Sequence, residues 1–150
     1  MWSPIRSGLR RRLGQIAALP AHEQWLLARA WALLLVMPAA ARLLPLRTLL
    51  TRLGRAPARH QRRRISAERL GSLVAAAGRH HFFAPTCLHR ALALYRLLAI
   101  HGHRAELVLG ARRAGGGLEA HAWLEQAGRL PPGDAGASSY QPLLRWEGEP

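Results

Sequence analysis

The spacing of apolar positions changes character near Gly102: helical repeats govern the chain before it and alternation governs it afterwards. Pro20 and Glu23 mark a helix start, and Trp25, Leu26, Arg29, Ala30 and Leu33 follow at helical spacings. From Ala30 onward this segment is apolar almost all round, which predicts burial on several sides. Pro38 and Pro45 are expected to kink or end it, leaving Leu43 to Leu53 as a second helix stopped by Gly54 and Pro57. Ser66 caps a third, with Glu68 in its first turn, an apolar stripe of Leu70, Leu73, Val74 and Ala77, and Gly78 at its end. A fourth runs from Cys87 to Ile100: Thr86 is its N-cap, Leu88, Ala91, Leu92, Tyr95 and Leu98 form its apolar face, and Gly102 closes it.

Beyond Gly102, Arg104 to Arg112 places Ala105, Leu107 and Leu109 on one face and Arg104, Glu106 and Val108 on the other. Gly115-Gly116-Gly117 then makes a hairpin connection to a second alternating strand, Leu118 to Gln126. On it Leu118, Ala120, Ala122 and Leu124 share one face, and Glu119, His121, Trp123 and Glu125 the other. Ala127-Gly128 turns the chain, Arg129 to Pro132 pairs briefly, a loop carries Asp134, and Tyr140 to Trp146 forms a last strand. Helices first and strands afterwards make an α+β fold, with a small antiparallel sheet packed on the Cys87 helix. Residues 1–60 read as an N-terminal helical region and 61–150 as the core, joined by the basic connector Arg55 to Arg64 into one compact domain.

Charge adds a partner question. There are 22 basic residues against 8 acidic ones, a formal charge of +14. All 22 are arginine, lysine and asparagine are absent, and the dominant residues are those of GC-rich codons, so part of the basicity follows from coding composition. Even so, Arg10-Arg11-Arg12, Arg52 to Arg64 and Arg112-Arg113 create a field that attracts acidic peptides, nucleic acid or anionic lipid. The single cysteine forms no internal disulfide, which fits a reducing compartment and makes the cytoplasm the expected location. The apolar run Ala30 to Ala41 is shorter than the roughly 20 residues of a membrane span and lies too far in for a signal peptide. It reads as a buried or surface-associated helix, with peripheral membrane contact as a secondary expectation.

That cysteine is also where the chemistry points. A thiol in the first turn of a helix faces unpaired N–H groups and the positive end of the helix dipole, which favour its thiolate, and the Cys87 N–H is placed to donate to a developing oxyanion. His89 lies two residues on, a rotation of about 200° along a helix, and should project away. His121, held mid-strand, is the candidate base, with Trp123 on the same face to wall the site from water. A third group must orient the imidazole; Asp134 is the only aspartate, and Glu119 and Glu125 are alternatives. Each residue also has an unreactive reading: Cys87 as a core residue, His121 as a structural histidine, Asp134 as a turn former. His80-His81 with Cys87 and His89 lack a recognisable zinc spacing, so no metal and no cofactor is expected.

Three segments carry a resemblance: Pro85-Thr86-Cys87-Leu88-His89-Arg90-Ala91-Leu92-Ala93-Leu94-Tyr95, Leu107-Val108-Leu109-Gly110-Ala111-Arg112-Arg113, and Ala120-His121-Ala122-Trp123-Leu124-Glu125. Together they resemble the lasso-peptide leader peptidase family, the transglutaminase-like cysteine protease component of bacterial lasso-peptide maturation. The resemblance implies a papain/transglutaminase-like core over residues 61–150 in which Cys87 is the nucleophile, His121 the general base and Asp134 the acid, with Trp123 near the substrate. It implies removal of a leader from a precursor peptide, so that an ATP-dependent asparagine-synthetase-like cyclase can close a ring. Longer relatives carry a winged-helix leader-recognition domain; no such pattern precedes the core here, which implies a separate recognition protein. Trp25 to Leu46 and the arginine-rich connector are then candidate docking surfaces. Acyl transfer to an amine, and a non-catalytic basic scaffold binding membrane or nucleic acid, are the competing functions.

Overall fold

The computed structural model describes residues 18–55, 65–129 and 136–147. Its first helix, α1 (Ala21–Leu43), starts after Pro20, whose fixed φ suits a helix entry. Glu23 in its first turn receives a forked bond from Arg69, 2.9 Å to one oxygen and 2.6 Å to the other. Of the two prolines expected to kink or end α1, Pro38 lies inside the helix and does not end it, while Pro45 follows its end. A proline removes one N–H and crowds the preceding turn, but Leu34 and Met37 before it are buried in the core and Ala40 and Ala41 after it pack against the same core. The helix stops only at Leu44, whose extended backbone still donates to the Ala40 carbonyl at 3.0 Å, and Pro45 opens the next helix. The apolar run of twelve residues is thus part of a 23-residue helix, long and apolar enough by length and composition alone to cross a membrane.

Helices α2 (Leu46–Gly54), α3 (Ala67–Arg79) and α4 (Cys87–Ile100) follow. The Ser66 hydroxyl caps α3 by accepting from the Arg69 N–H at 3.2 Å. Helix α4 is the hub: it packs on α1, α2, α3 and the sheet, and Leu92, Leu97 and Leu98 along it are fully enclosed. Leu26, Ala30 and Leu34 of α1, Leu49 and Leu50 of α2, and Leu70 and Val74 of α3 belong to the same cluster, so the N-terminal helices share a core with α4.

The sheet comprises β1 (Glu106–Ala114), β2 (Gly117–Glu125) and β3 (Gln141–Glu147) in antiparallel order β2-β1-β3. Gly115 and Gly116, with φ of +58° and +82°, make the two-residue turn of the first hairpin, a conformation that matches strand twist and favours glycine. As alternation predicts, β2 divides its residues between two faces. Leu107, Ala122 and Leu124 join the helical core, whereas Val108 and Trp123 form a second cluster with Ala137. Gln126 and Arg129 make an isolated bridge, and residues 130–132 of the expected brief pairing lie outside the described residues. Residues 56–64 of the basic connector, Arg10-Arg11-Arg12 and the Asp134 loop lie outside the described residues.

Candidate active site

Cys87 is the first residue of α4. Pro85, buried against the end of α3 at Gly78, fixes the direction from which the chain enters the helix. The Thr86 hydroxyl accepts from the His89 N–H and the His89 Nδ1 accepts from the Thr86 N–H, both at a long 3.4 Å. His89 thus closes a capping box, a place usually held by Glu or Gln. Burial, and secondarily the charge of Arg42, hold its pKa below the ordinary histidine value and keep the ring neutral, the form that can accept. The spacing that sets His89 aside as a base does not reveal this task. With the His89 N–H capped, the N–H groups of Cys87 and Leu88 have no intrahelical acceptor, and they sit at the helix end where an anion is stabilised. The thiol itself is half-buried.

His121 stands at the middle of β2, paired with Gly110 on β1. Its ring belongs to a three-ring cluster: Tyr140 stacks on it with centroids 4.9 Å apart and planes 28° apart, Trp123 lies at 5.9 Å and 19°, and Trp123 and Tyr140 are 6.5 Å from each other. Gly110 makes room for this stack. A Cβ there would sit 2.6 Å from the Trp123 ring and 2.7 Å from the Gln141 carbonyl. Trp123 is only 3% exposed, and its indole N–H donates to Glu125 at 2.9 Å. Arg145 holds the other oxygen of Glu125 at 2.7 Å and reaches Glu106 at 3.1 Å. Burial opposes ionisation of Glu125, but the bonds from Arg145 and Trp123 outweigh it and keep its pKa below the usual carboxylate range. Trp123 is therefore a locked wall behind His121, on the face that alternation assigns it.

Tyr140 completes the group, and sequence reading gives it no role beyond the start of a strand. It follows a 3-10 turn, Ala137–Ser139, whose backbone aims its ring across the sheet. The Arg112 guanidinium covers that ring at 4.5 Å, and the phenol donates to Glu119 at 3.3 Å. Arg112 also donates to the same Glu119 oxygen at 2.7 Å and to the Ser139 hydroxyl at 2.9 Å. The hydrogen bond and charge of Arg112 hold Glu119 below its ordinary pKa. Partial burial raises that of Tyr140; Arg112 opposes the rise and Glu119 adds to it. Helix α4, which starts at Cys87, packs on β2, which carries His121, so thiol and imidazole belong to adjacent elements.

The remaining candidates separate. Asp134 lies outside the described residues. Glu119 and Glu125 do share the His121 face, but each is engaged, Glu119 by Arg112 and Tyr140 and Glu125 by Trp123 and Arg145. His81 faces the Trp31 carbonyl at 3.2 Å and stacks on that indole at 4.6 Å. Among the described residues no group of three His, Cys, Asp or Glu side chains gathers as a metal site.

A thiol at the head of a core helix, beside a sheet that carries a stacked histidine, is the framework of cysteine-dependent acyl chemistry. The chain belongs to the transglutaminase-like superfamily, whose family model matches residues 31–145. That superfamily includes cysteine proteases and acyltransferases. The match spans Cys87, His121 and Tyr140 and begins inside α1. No curated protein and no solved structure matches the chain.

Proposed function

We propose that this chain is a cysteine endopeptidase that removes the leader from a lasso-peptide precursor. The observation that supports it most is the capped helix end that carries Cys87, on a helix packed against the strand whose His121 stacks on Tyr140. In the proposed reaction the Cys87 sulfur attacks the carbonyl of one peptide bond, and the negative charge on the carbonyl oxygen meets the Cys87 N–H. His121 takes the thiol proton and delivers it to the departing amine, leaving a thioester. Water, deprotonated by His121, then attacks the thioester, releasing a free carboxylate and restoring the thiol. Asp134 is the proposed group that orients His121. Trp123 limits water on one side of the imidazole and borders the substrate.

A separate winged-helix recognition protein is the proposed source of the leader, and an asparagine-synthetase-like cyclase the consumer of the product, all in the cytoplasm. The test is incubation of the chain with the precursor and recognition protein encoded beside it, followed by product mass. A free carboxylate at the cut supports hydrolysis. Attachment of an added amine at the same carbonyl would establish the transglutaminase-like acyl transfer instead, and a product that forms equally well without this chain would remove the enzyme reading.

A further inference from the structure

Helix α1 presents a second, unused surface. Its inner side, Leu26, Ala30, Leu34 and Met37, is packed into the core. Its outer side is just as apolar: Trp25, Ala28, Ala32, Leu35, Val36, Ala39 and Leu43 are all exposed and recur at helical spacing. That stripe spans nineteen residues from Trp25 to Leu43, about 27 Å from end to end at the helical rise. Phe82, 85% exposed, extends it sideways by packing edge-on against Trp31. Leu43 is 80% exposed and Trp25 59%, far more than core packing leaves to such side chains.

Charge selects the occupant. Arg29 lies over the Trp25 ring at 5.0 Å, and Arg42 and Arg47 are exposed at the other end. The one acidic residue of α1, Glu23, is taken by Arg69. A net charge of +14 repels a second copy of the chain and attracts a negative surface. We infer that α1 lies in the plane of an anionic lipid surface, with its outer stripe in the acyl boundary and its arginines at the headgroups. The helix lies on the bilayer and does not cross it, because crossing would strip Leu26, Ala30, Leu34 and Met37 from α3 and α4. This surface is independent of the peptidase reading.

The test is co-sedimentation of the full chain with vesicles of phosphatidylglycerol mixed into phosphatidylcholine, against pure phosphatidylcholine vesicles. Binding to the anionic vesicles is expected, and Val36→Glu should lower the partition constant roughly tenfold or more, since a buried apolar side chain is replaced by a charge of the wrong sign. Leu43→Glu, at a position even more exposed, should act the same way, with circular dichroism confirming that both variants fold. Three results would overturn the proposal: no binding to anionic vesicles; full binding by both folded variants, which would leave arginines alone as the attraction; or a dimer or a protein complex in solution that these substitutions dissociate.

Discussion

Tyr140 stacks on His121, so in the proposed mechanism it would position the base. Replacing it by alanine removes the ring stacked on the imidazole and should lower kcat between roughly tenfold and a hundredfold, because small misplacements of a catalytic group cost that much. Tyr140→Phe keeps the stack and loses only the long bond to Glu119, so its kcat should stay near that of the wild type; steady-state kinetics on the three proteins checks both. Gly110 supports the same group from below. Gly110→Ala puts a Cβ against the Trp123 ring and the Gln141 carbonyl, and should cost about 1–3 kcal/mol of stability as an overpacked site, read by urea denaturation. Neither role was legible in the sequence. Tyr140 depends on a 3-10 turn that leaves no periodic trace, and Gly110 looks like any small residue in a strand until the indole across the hairpin is seen.

At the scale of elements, the fold was largely legible because local signals and burial agree. The Thr86 cap, the Cys87–Ile100 limits, the Ser66 cap and the two faces of β2 all follow from residue type and period. The pattern leaves open whether Pro38 kinks or ends α1, and core packing carries the helix through it; the outer apolar stripe reads as burial from pattern alone. Capping gives a direct test of how α4 serves the site. Thr86→Ala and Ser66→Ala should each destabilise the protein by about 1 kcal/mol, lowering Tm by about 3 °C. Only Thr86→Ala should also reduce turnover measured well below Tm, because only that cap fixes the turn that carries Cys87. Equal turnover in the two variants would mean that the first turn of α4 needs no cap to present the thiol.

The whole molecule should be acid-labile. His89 and His101 have folded pKa values lowered first by burial, so their contributions are complete above the unfolded value of about 6.5 and are lost as pH falls through the folded values. Glu125 is also lowered, and its contribution is present above the unfolded value of about 4.3 and lost on further acidification. All three act in one direction, so the urea midpoint should fall between about pH 7.5 and about pH 5.5 and drop again below about pH 4. A midpoint that rises over that range would contradict these burial assignments. Of the candidate triad, Cys87 and His121 were legible as types at a helix head and on a strand face; the Tyr140 ring stacked on His121 was not, and the proposed acid falls in a loop outside the described residues. The central claim, that Cys87 is an acylated nucleophile, is tested most directly by intact-protein mass spectrometry during turnover of the precursor. The wild-type chain should show a transient mass increase equal to the acyl fragment. Cys87→Ala should show none and lose at least about a thousandfold in leader release. Leader release by Cys87→Ala at the wild-type rate would contradict the account.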